Sequence, residues 1–535
     1  MKPQNELGVP IPVNKPLVVR TIKEVTKEQR EYALKKTEYN MFSFPADLLF
    51  LDFLSDSGSG TMTDSQWAAI FHGDESYGRN TGYYVLLDAI RDIFERGNNP
   101  KRLINLILSG ETNTKRLMND LYLTSNEGGF VNGGKYQLIR PNAFIVPQGR
   151  CAEFLLFSTI RPILRKKNSS IEYYIPNNGH FDTTEANIAA NKIHPVNLFS
   201  PILLDEFPYD QMGTRNPFKG NMDIKRLEEL ILAKGVESIP LIFITITNNT
   251  AAGQPVSMKN IKEVSDIAQK YEIPLFFDAC RFPENAFFIK KFEEAYQDHS
   301  ILSIVKEMFS YVDGFTISFK KGIANIGGGL FFRDQGKFHK KFSKKEDIGV
   351  LLKEKQILTF GNDSYGGMSG RDIMALASSL YEIVSLNVLE SRVLQVRVFA
   401  RKLSEKGVPL ILPAGGHAVY IDMDKFFEGM DIRIDDFGGV GFTIELVKHY
   451  GIRACELGPF AFEWDKKAPE ERKGILNLVR FALPWNAYNN SHIDYTVAAV
   501  NELYVNRDKI PKVKISRGAQ LRLRHFQTGL QPEYF

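Results

Sequence analysis

Three short segments carry side chains that could do chemistry together. In FFDACRFPEN, Asp278 follows directly on the apolar run IPLFF. A carboxylate at the end of a buried strand is costly unless a cation or donor meets it. In SFKKGIANIGGG, Lys320 and Lys321 follow the apolar run VDGFTIS. A lysine beside a second cation has its ammonium form disfavoured, which an imine-forming amine requires. Gln148-Gly149-Arg150 follows the apolar FIVP. Glycine there lets backbone amides approach an anion, and arginine offers a bidentate fork. A carboxylate, a reactive amine and an anion cradle are what pyridoxal phosphate needs: a partner for its ring nitrogen, an imine and a phosphate site. Each segment alone has a plain reading: a turn aspartate, a solvated Lys-Lys loop, a common dipeptide.

The elements around them fit such a site. IEYYI (171–175), IPLIFITIT (239–247), IPLFF (273–277) and VDGFTIS (312–318) read as buried strands, and patterns such as IKRLEELILAKG read as helices between them. That alternation, with strands apolar throughout, predicts an α/β fold on a mostly parallel sheet covered on both faces. Ligands then sit at the carboxyl ends of the strands. A helix is expected from about residue 80, and one long helical pattern over 378–407 precedes a smaller α/β unit containing GGHAVYIDM and LNLVRFALP. The polar, Gly/Asn-rich residues 97–140 read as an inserted loop or small subdomain, and the Pro-rich first 20 residues as an extended arm. The expected organisation is 1–59 as arm and part of a small domain, 60–375 as a large cofactor-binding domain, and 376–535 as a small C-terminal domain.

The 535 residues balance 67 Lys+Arg against 63 Asp+Glu, so net charge gives no reason to expect a nucleic-acid or membrane-surface partner. Three scattered cysteines cannot form a disulfide framework, and no run of about 18 apolar residues occurs. A soluble, cytoplasmic protein is expected.

The chain resembles the β-eliminating lyases of pyridoxal-phosphate fold type I, the tryptophanase and tyrosine phenol-lyase family. The matching segments run in order along nearly the whole chain. They include FLDFLSDSGSG, GDESY, PQGRCAE, FDTTEAN, ITNNTAAGQPVSM, FDACRFPENAFFIK, SFKKGIANIGGG, SYGGMSGRD, GGHAVYID, GIRACELG and LVRFALP. The resemblance implies an aspartate-aminotransferase-like large domain with a smaller α/β domain.

It also implies roles. Lys321 matches the lysine that holds the cofactor, and Asp278 the carboxylate at the ring nitrogen. Arg281 and Asn249 match the residues at the phenolic oxygen, and Phe181 the ring stacked on the pyridine. Gln148, Gly149, Arg150 and Ser318 match the phosphate cradle, with Lys320 nearby. Arg480 matches the arginine for the substrate α-carboxylate, helped by Ser55 and Ser57. Tyr77 matches a proposed general acid. Glu75 with the carbonyls of Gly58 and Asn325 matches the ligands of a monovalent cation, potassium, and oxygen ligands suit such a hard ion. The resemblance further implies a homotetramer built from dimers, with active sites at the dimer interface.

Asp182, His525 and Leu457 side with the tryptophan-cleaving branch. A carboxylate with a histidine can serve the indole N–H and the proton traffic, and an aliphatic Leu457 suits a flat apolar ring. The expected reaction is L-tryptophan and water to indole, pyruvate and ammonia. Phenol or thiol leaving groups on the same scaffold remain the nearest alternative. The remote one is a non-catalytic binding protein using the basic stretch 507–525. The chain departs from the archetypes at Pro147, Phe319 and Trp485, and in the insertion 97–140. SYGGMSGRD reads more like the tyrosine lyase.

Overall fold

The computed structural model describes residues 21–95, 103–110, 128–133, 136–168, 170–322 and 325–534. The arm expected over residues 1–20 lies outside these.

The main sheet has five strands, in the spatial order Ala143–Val146, Gly328–Phe332, Gly314–Ser318, Leu275–Asp278, Ile242–Thr245. Every residue in them is buried, which is why their sequences are continuously apolar or β-branched rather than alternating. The two faces are nevertheless distinct. Ile242, Ile244, Phe277 and Phe315 join one core cluster, while Phe243, Phe276, Phe144 and Phe332 join another on the opposite face. The last three strands in that order are parallel, but Gly328–Phe332 runs antiparallel to both its neighbours. The link that follows Lys321 is too short to carry a crossover helix, so the chain can only return antiparallel there.

The register puts Thr245, Asp278 and Thr316 side by side at one edge. Val146 and Ser318 both pair with Gly328, which brings the end of the first strand to the end of the third.

A second core packs Leu51 and Phe53 with Val396, Phe399, Val419, Ile421, Val479 and Phe481. It surrounds an antiparallel sheet of Cys455–Glu456, Leu478–Ala482 and Ala418–Asp422. The strand Leu51–Asp52 pairs in parallel with Ile452–Arg453, so this early segment lies against the C-terminal elements.

One sequence expectation is corrected. The pattern over 378–407 is not one helix: Gly370–Glu382 and Leu386–Ser404 meet at 84°. Apolar periodicity reports which face is buried, and both helices bury one, so it carries across the break. The described parts of the expected insertion 97–140 dock on the main core. Leu103, Ile104, Phe130 and Val131 are buried in the main core, and Phe130 packs its ring 5.1 Å from that of Phe315. Asn142 donates to the carbonyls of Gly129 and Phe332. This places residues 129–132 at the edge of the sheet opposite Ser318, the far end of a five-residue strand.

The basic C-terminal stretch is largely neutralised within the chain. Lys512 pairs with Asp431 and Asp436, Lys514 with Glu533, Arg517 with Glu38, and Arg524 with Asp465. Among the described residues no single helix is long and apolar enough to cross a membrane.

Candidate active site

The site lies where the parallel strands end. Ser318 closes its strand, and the short turn Phe319–Lys321 follows it directly, so Lys321 is carried out from the sheet edge. Its Nζ lies 3.4 Å from Ser318 Oγ, and Trp485 Nε1 donates to its carbonyl at 2.7 Å. Burial, then the neighbouring charges of Lys321 and Arg150, hold the Lys320 ammonium below its ordinary range. Asp278 ends the adjacent strand and is buried, with the Cys280 thiol 2.9 Å from Oδ1. Burial pushes its carboxyl above the ordinary aspartate range, against the pull of Cys280, Lys321 and Arg281. Such a group gains from a protonated nitrogen brought to it.

The helix Gly149–Lys167 starts beside this turn, and Gln148 at its N-cap makes no side-chain cap. A Cβ at Gly149 would stand 2.7 Å from that of Ser318, so only glycine permits the approach. Ser318, Lys320 and Arg150 thus lie about the N-terminus of a long helix, an arrangement whose charge and amide dipoles suit an anion. Arg150 is exposed and lies 5.4 Å over the ring of Phe526.

Asn249 sits at the centre of a buried polar group. Its Oδ1 accepts from Tyr420 at 2.7 Å, His417 at 2.9 Å and Arg480 at 3.2 Å. Its Nδ2 is buried without a partner, as is Nε of Arg480. These two unsatisfied donors fit ligand oxygens, because leaving them empty costs about 1–3 kcal/mol each. Arg480 Nη2 also donates to the carbonyl of Leu54 at 2.8 Å. Arg281 donates through Nε and Nη2 to both oxygens of Asp56, at 2.9 and 2.7 Å. Burial opposes the Asp56 charge, yet Arg281, His417 and Arg392 hold its carboxyl far below the ordinary range. Ser55 and Ser57 therefore flank a fastened residue, with Ser57 N bonded to Ser55 Oγ at 3.1 Å.

Phe181 caps the helix Asp182–Ala190 and packs in one cluster with Leu457, Tyr420 and Ala252. Asp182 and His525 meet at 2.9 Å, both 4% exposed. The His525 ring is held by Phe526 at 4.2 Å and Phe42 at 5.4 Å, and Asn40 donates to its carbonyl.

The remaining residues divide. Gly58 N donates to the Lys320 carbonyl, and a Cβ on Gly58 would lie 3.3 Å from the Asn325 carbonyl oxygen, so these two carbonyl residues are neighbours. Glu75 is exposed and paired with Arg371 at 2.8 Å. Tyr77 is 74% exposed against Tyr365. Within one chain neither reaches the Lys321 site through a described contact.

Sequence reasoning missed Asp56, His417, Tyr420, Arg392 and Glu153. Asp56 was visible as the acid between two serines, and His417 and Tyr420 as the polar residues of GGHAVYID. Arg392 sits in an ordinary amphipathic helix and gave no signal. Glu153 lies one turn into the cradle helix and accepts from Thr184 at 2.7 Å and Asn187 at 3.2 Å.

Comparison with known proteins gives a consistent result. The Beta-eliminating lyase family model matches residues 52–499. The chain is 36% identical to a probable beta-eliminating lyase of Trichomonas vaginalis, covering 96% of this chain and 97% of that one. It is 33% identical to a tryptophanase of Salinibacter ruber, covering 96% and 94%. It is 34% identical to a tyrosine phenol-lyase of Clostridium tetani, covering 94% and 95%. Among solved structures, an aspartate aminotransferase of Thermotoga maritima matches with TM-score 0.50 at 11% identity, over 90% of this chain and 98% of that one. An aminotransferase of Staphylococcus aureus gives TM-score 0.50 at 14% identity, over 85% and 94%.

Proposed function

The chain belongs to the beta-eliminating lyase family, and we propose that its own reaction is the cleavage of L-tryptophan with water to indole, pyruvate and ammonia. The observation that carries the choice of leaving group is the buried Asp182–His525 pair at 2.9 Å, with the apolar Leu457 and Phe181 nearby in one cluster. A phenol would need a cation where Leu457 stands.

Pyridoxal phosphate supplies an electrophilic carbon for the substrate amine and a sink for the electrons of the α C–H bond. Lys321 would hold it, with Asp278 at the ring nitrogen and Phe181 on the ring face. Asn249 Nδ2 and Arg281 would meet the phenolic oxygen, and Gln148, Gly149, Arg150, Ser318 and Lys320 the phosphate. Arg480 binds the α-carboxylate with its free Nε, and Ser55 and Ser57 border that position. The Lys321 amine is the base that would take the substrate α-proton. Asp182 and His525 bind the indole N–H and direct a proton to indole C3, which makes the ring a neutral leaving group. Their burial excludes water from that transfer.

In this reading the working unit is a cytoplasmic homotetramer of dimers. Exposed Tyr77 and Glu75 would then act across a subunit boundary, Tyr77 as an acid and Glu75 as a potassium ligand joining the Gly58 and Asn325 carbonyls. Exposed Trp67 and Phe71 on the same stretch support a covered surface.

The test is pyruvate release from purified enzyme with cofactor and potassium, run in parallel on L-tryptophan, L-tyrosine and S-substituted cysteines. Indole formed in equal amount with pyruvate is expected. A preference for tyrosine over tryptophan would overturn the roles given to Asp182, His525 and Leu457.

A further inference from the structure

We propose that Asp56 is a positioning residue that clamps Arg281 so that its Nη1 is the nitrogen turned to the cofactor, with Arg392 as a second cation held for the same carboxylate. The proposal rests on the reading of this site as a pyridoxal-phosphate site.

Arg281 gives Nε and Nη2 to Asp56, and Nη1 takes part in neither bond. The carboxylate is 0% exposed and the guanidinium 5% exposed, so water does not compete for the pair. A planar fork held along one edge has a single orientation left for its remaining nitrogen. The segment that carries Asp56 is fastened twice, since the Leu54 carbonyl takes Arg480 Nη2. One short loop thus sets both arginines, Arg480 through its main chain and Arg281 through a carboxylate.

Arg392 comes from a different element, the helix Leu386–Ser404. Its Nη2 lies 4.0 Å from Asp56 Oδ2, and the guanidinium stacks 5.0 Å over Trp485. None of its three nitrogens makes a hydrogen bond, although the side chain is 2% exposed. A buried guanidinium without hydrogen bonds is a poor stabilising device, so besides its stacking on Trp485 it acts through its charge, which Glu284 and then Asp56 share. The other charged or titratable groups facing this pair are Glu284 from the helix Phe282–Phe292, His417 and Tyr420 from the strand edge, Arg480, Asp278 and Cys280. Among these Glu284 also has an unpartnered buried oxygen.

The experiment is a pH titration of the bound-cofactor absorbance in the holoenzyme, with the cofactor dissociation constant measured alongside. The proteins are wild type, Asp56→Asn, Asp56→Glu and Arg392→Met. Asp56→Asn removes a negative charge from a group that keeps both Arg281 and Arg392, so the midpoint of the bound cofactor falls by about one pH unit or more. Arg392→Met removes a cation and moves the midpoint upward, while Asp56→Glu returns it toward wild type. Shifts of opposite sign are not produced by a loss of packing. Midpoints equal to wild type in Asp56→Asn and Arg392→Met overturn the proposal while leaving the site reading in place. If Asp56→Asn does not fold, Arg392→Met decides: a rise supports the proposal and no change overturns it. A wild type that takes up no pyridoxal phosphate overturns the site reading, and the proposal with it.

Discussion

His525 Nε2 lies 2.9 Å from Asp182 Oδ2, joining the start of a helix in the large domain to the last turn before the C-terminal strand. Burial raises the cost of the Asp182 charge, but the His525 bond and the Thr183 amide outweigh it and hold the carboxyl below its ordinary range. The pair therefore keeps an ionised carboxylate against an imidazole where both side chains are buried.

Disrupting this pair separates the leaving groups. Asp182→Asn and His525→Phe should each lower kcat/KM for L-tryptophan by about 10²–10⁴-fold. Turnover of S-substituted cysteines, whose thiols leave without an acid, should stay within about tenfold. Parallel pyruvate assays measure both, and an equal loss on the two substrates would remove the assigned role.

Lys321→Ala should abolish the absorbance of the lysine-linked cofactor and lower turnover by roughly 10³-fold or more. The Lys320→Ala variant, one residue earlier, should keep that absorbance. A spectrum of each purified protein checks the assignment.

At Arg480 the expected loss is in substrate recognition. Arg480→Lys keeps the charge but not the fork, so kcat/KM should fall on the order of 10²-fold for every amino-acid substrate. The cofactor dissociation constant should hardly change, because the proposed role gives the unpartnered Arg480 Nε to the substrate.

Gly149→Ala sets two effects against each other. Alanine favours the helix by about 1 kcal/mol over glycine, but its Cβ would stand 2.7 Å from that of Ser318. Weaker cofactor binding, by about tenfold or more, is expected by equilibrium dialysis.

Glu456 gives a pH dependence of stability. Burial raises its carboxyl to about 7, against the pull of the Phe460 and Ala461 amides. The folded protein then holds this proton more tightly than the unfolded chain does. The sign follows: stability is greatest below the ordinary glutamate range and is lost as pH rises toward 7, by on the order of 2 kcal/mol. In Glu456→Gln this contribution to the slope disappears, and urea unfolding midpoints across that window will show it.

Much of this protein was legible in the sequence, for local reasons. Buried strands need continuous apolar runs, so IPLFF and VDGFTIS marked the sheet and placed Asp278 and Lys321 at its edge. The glycine between Gln148 and Arg150 marked a close backbone approach, and Gly149 does lie against Ser318. The break between the helices ending at Glu382 and starting at Leu386 and the docking of Phe130 were not legible, because both depend on where the chain turns in space. Asp56 is the sharpest case. Its residue type and its neighbours Ser55 and Ser57 were in view, but its partner Arg281 lies far along the chain. Sequence determines which side chains are available and how they alternate on an element. Only the packing of two cores against each other decides which buried charge meets which, because that energy depends on distances of a few ångströms between residues remote in the chain.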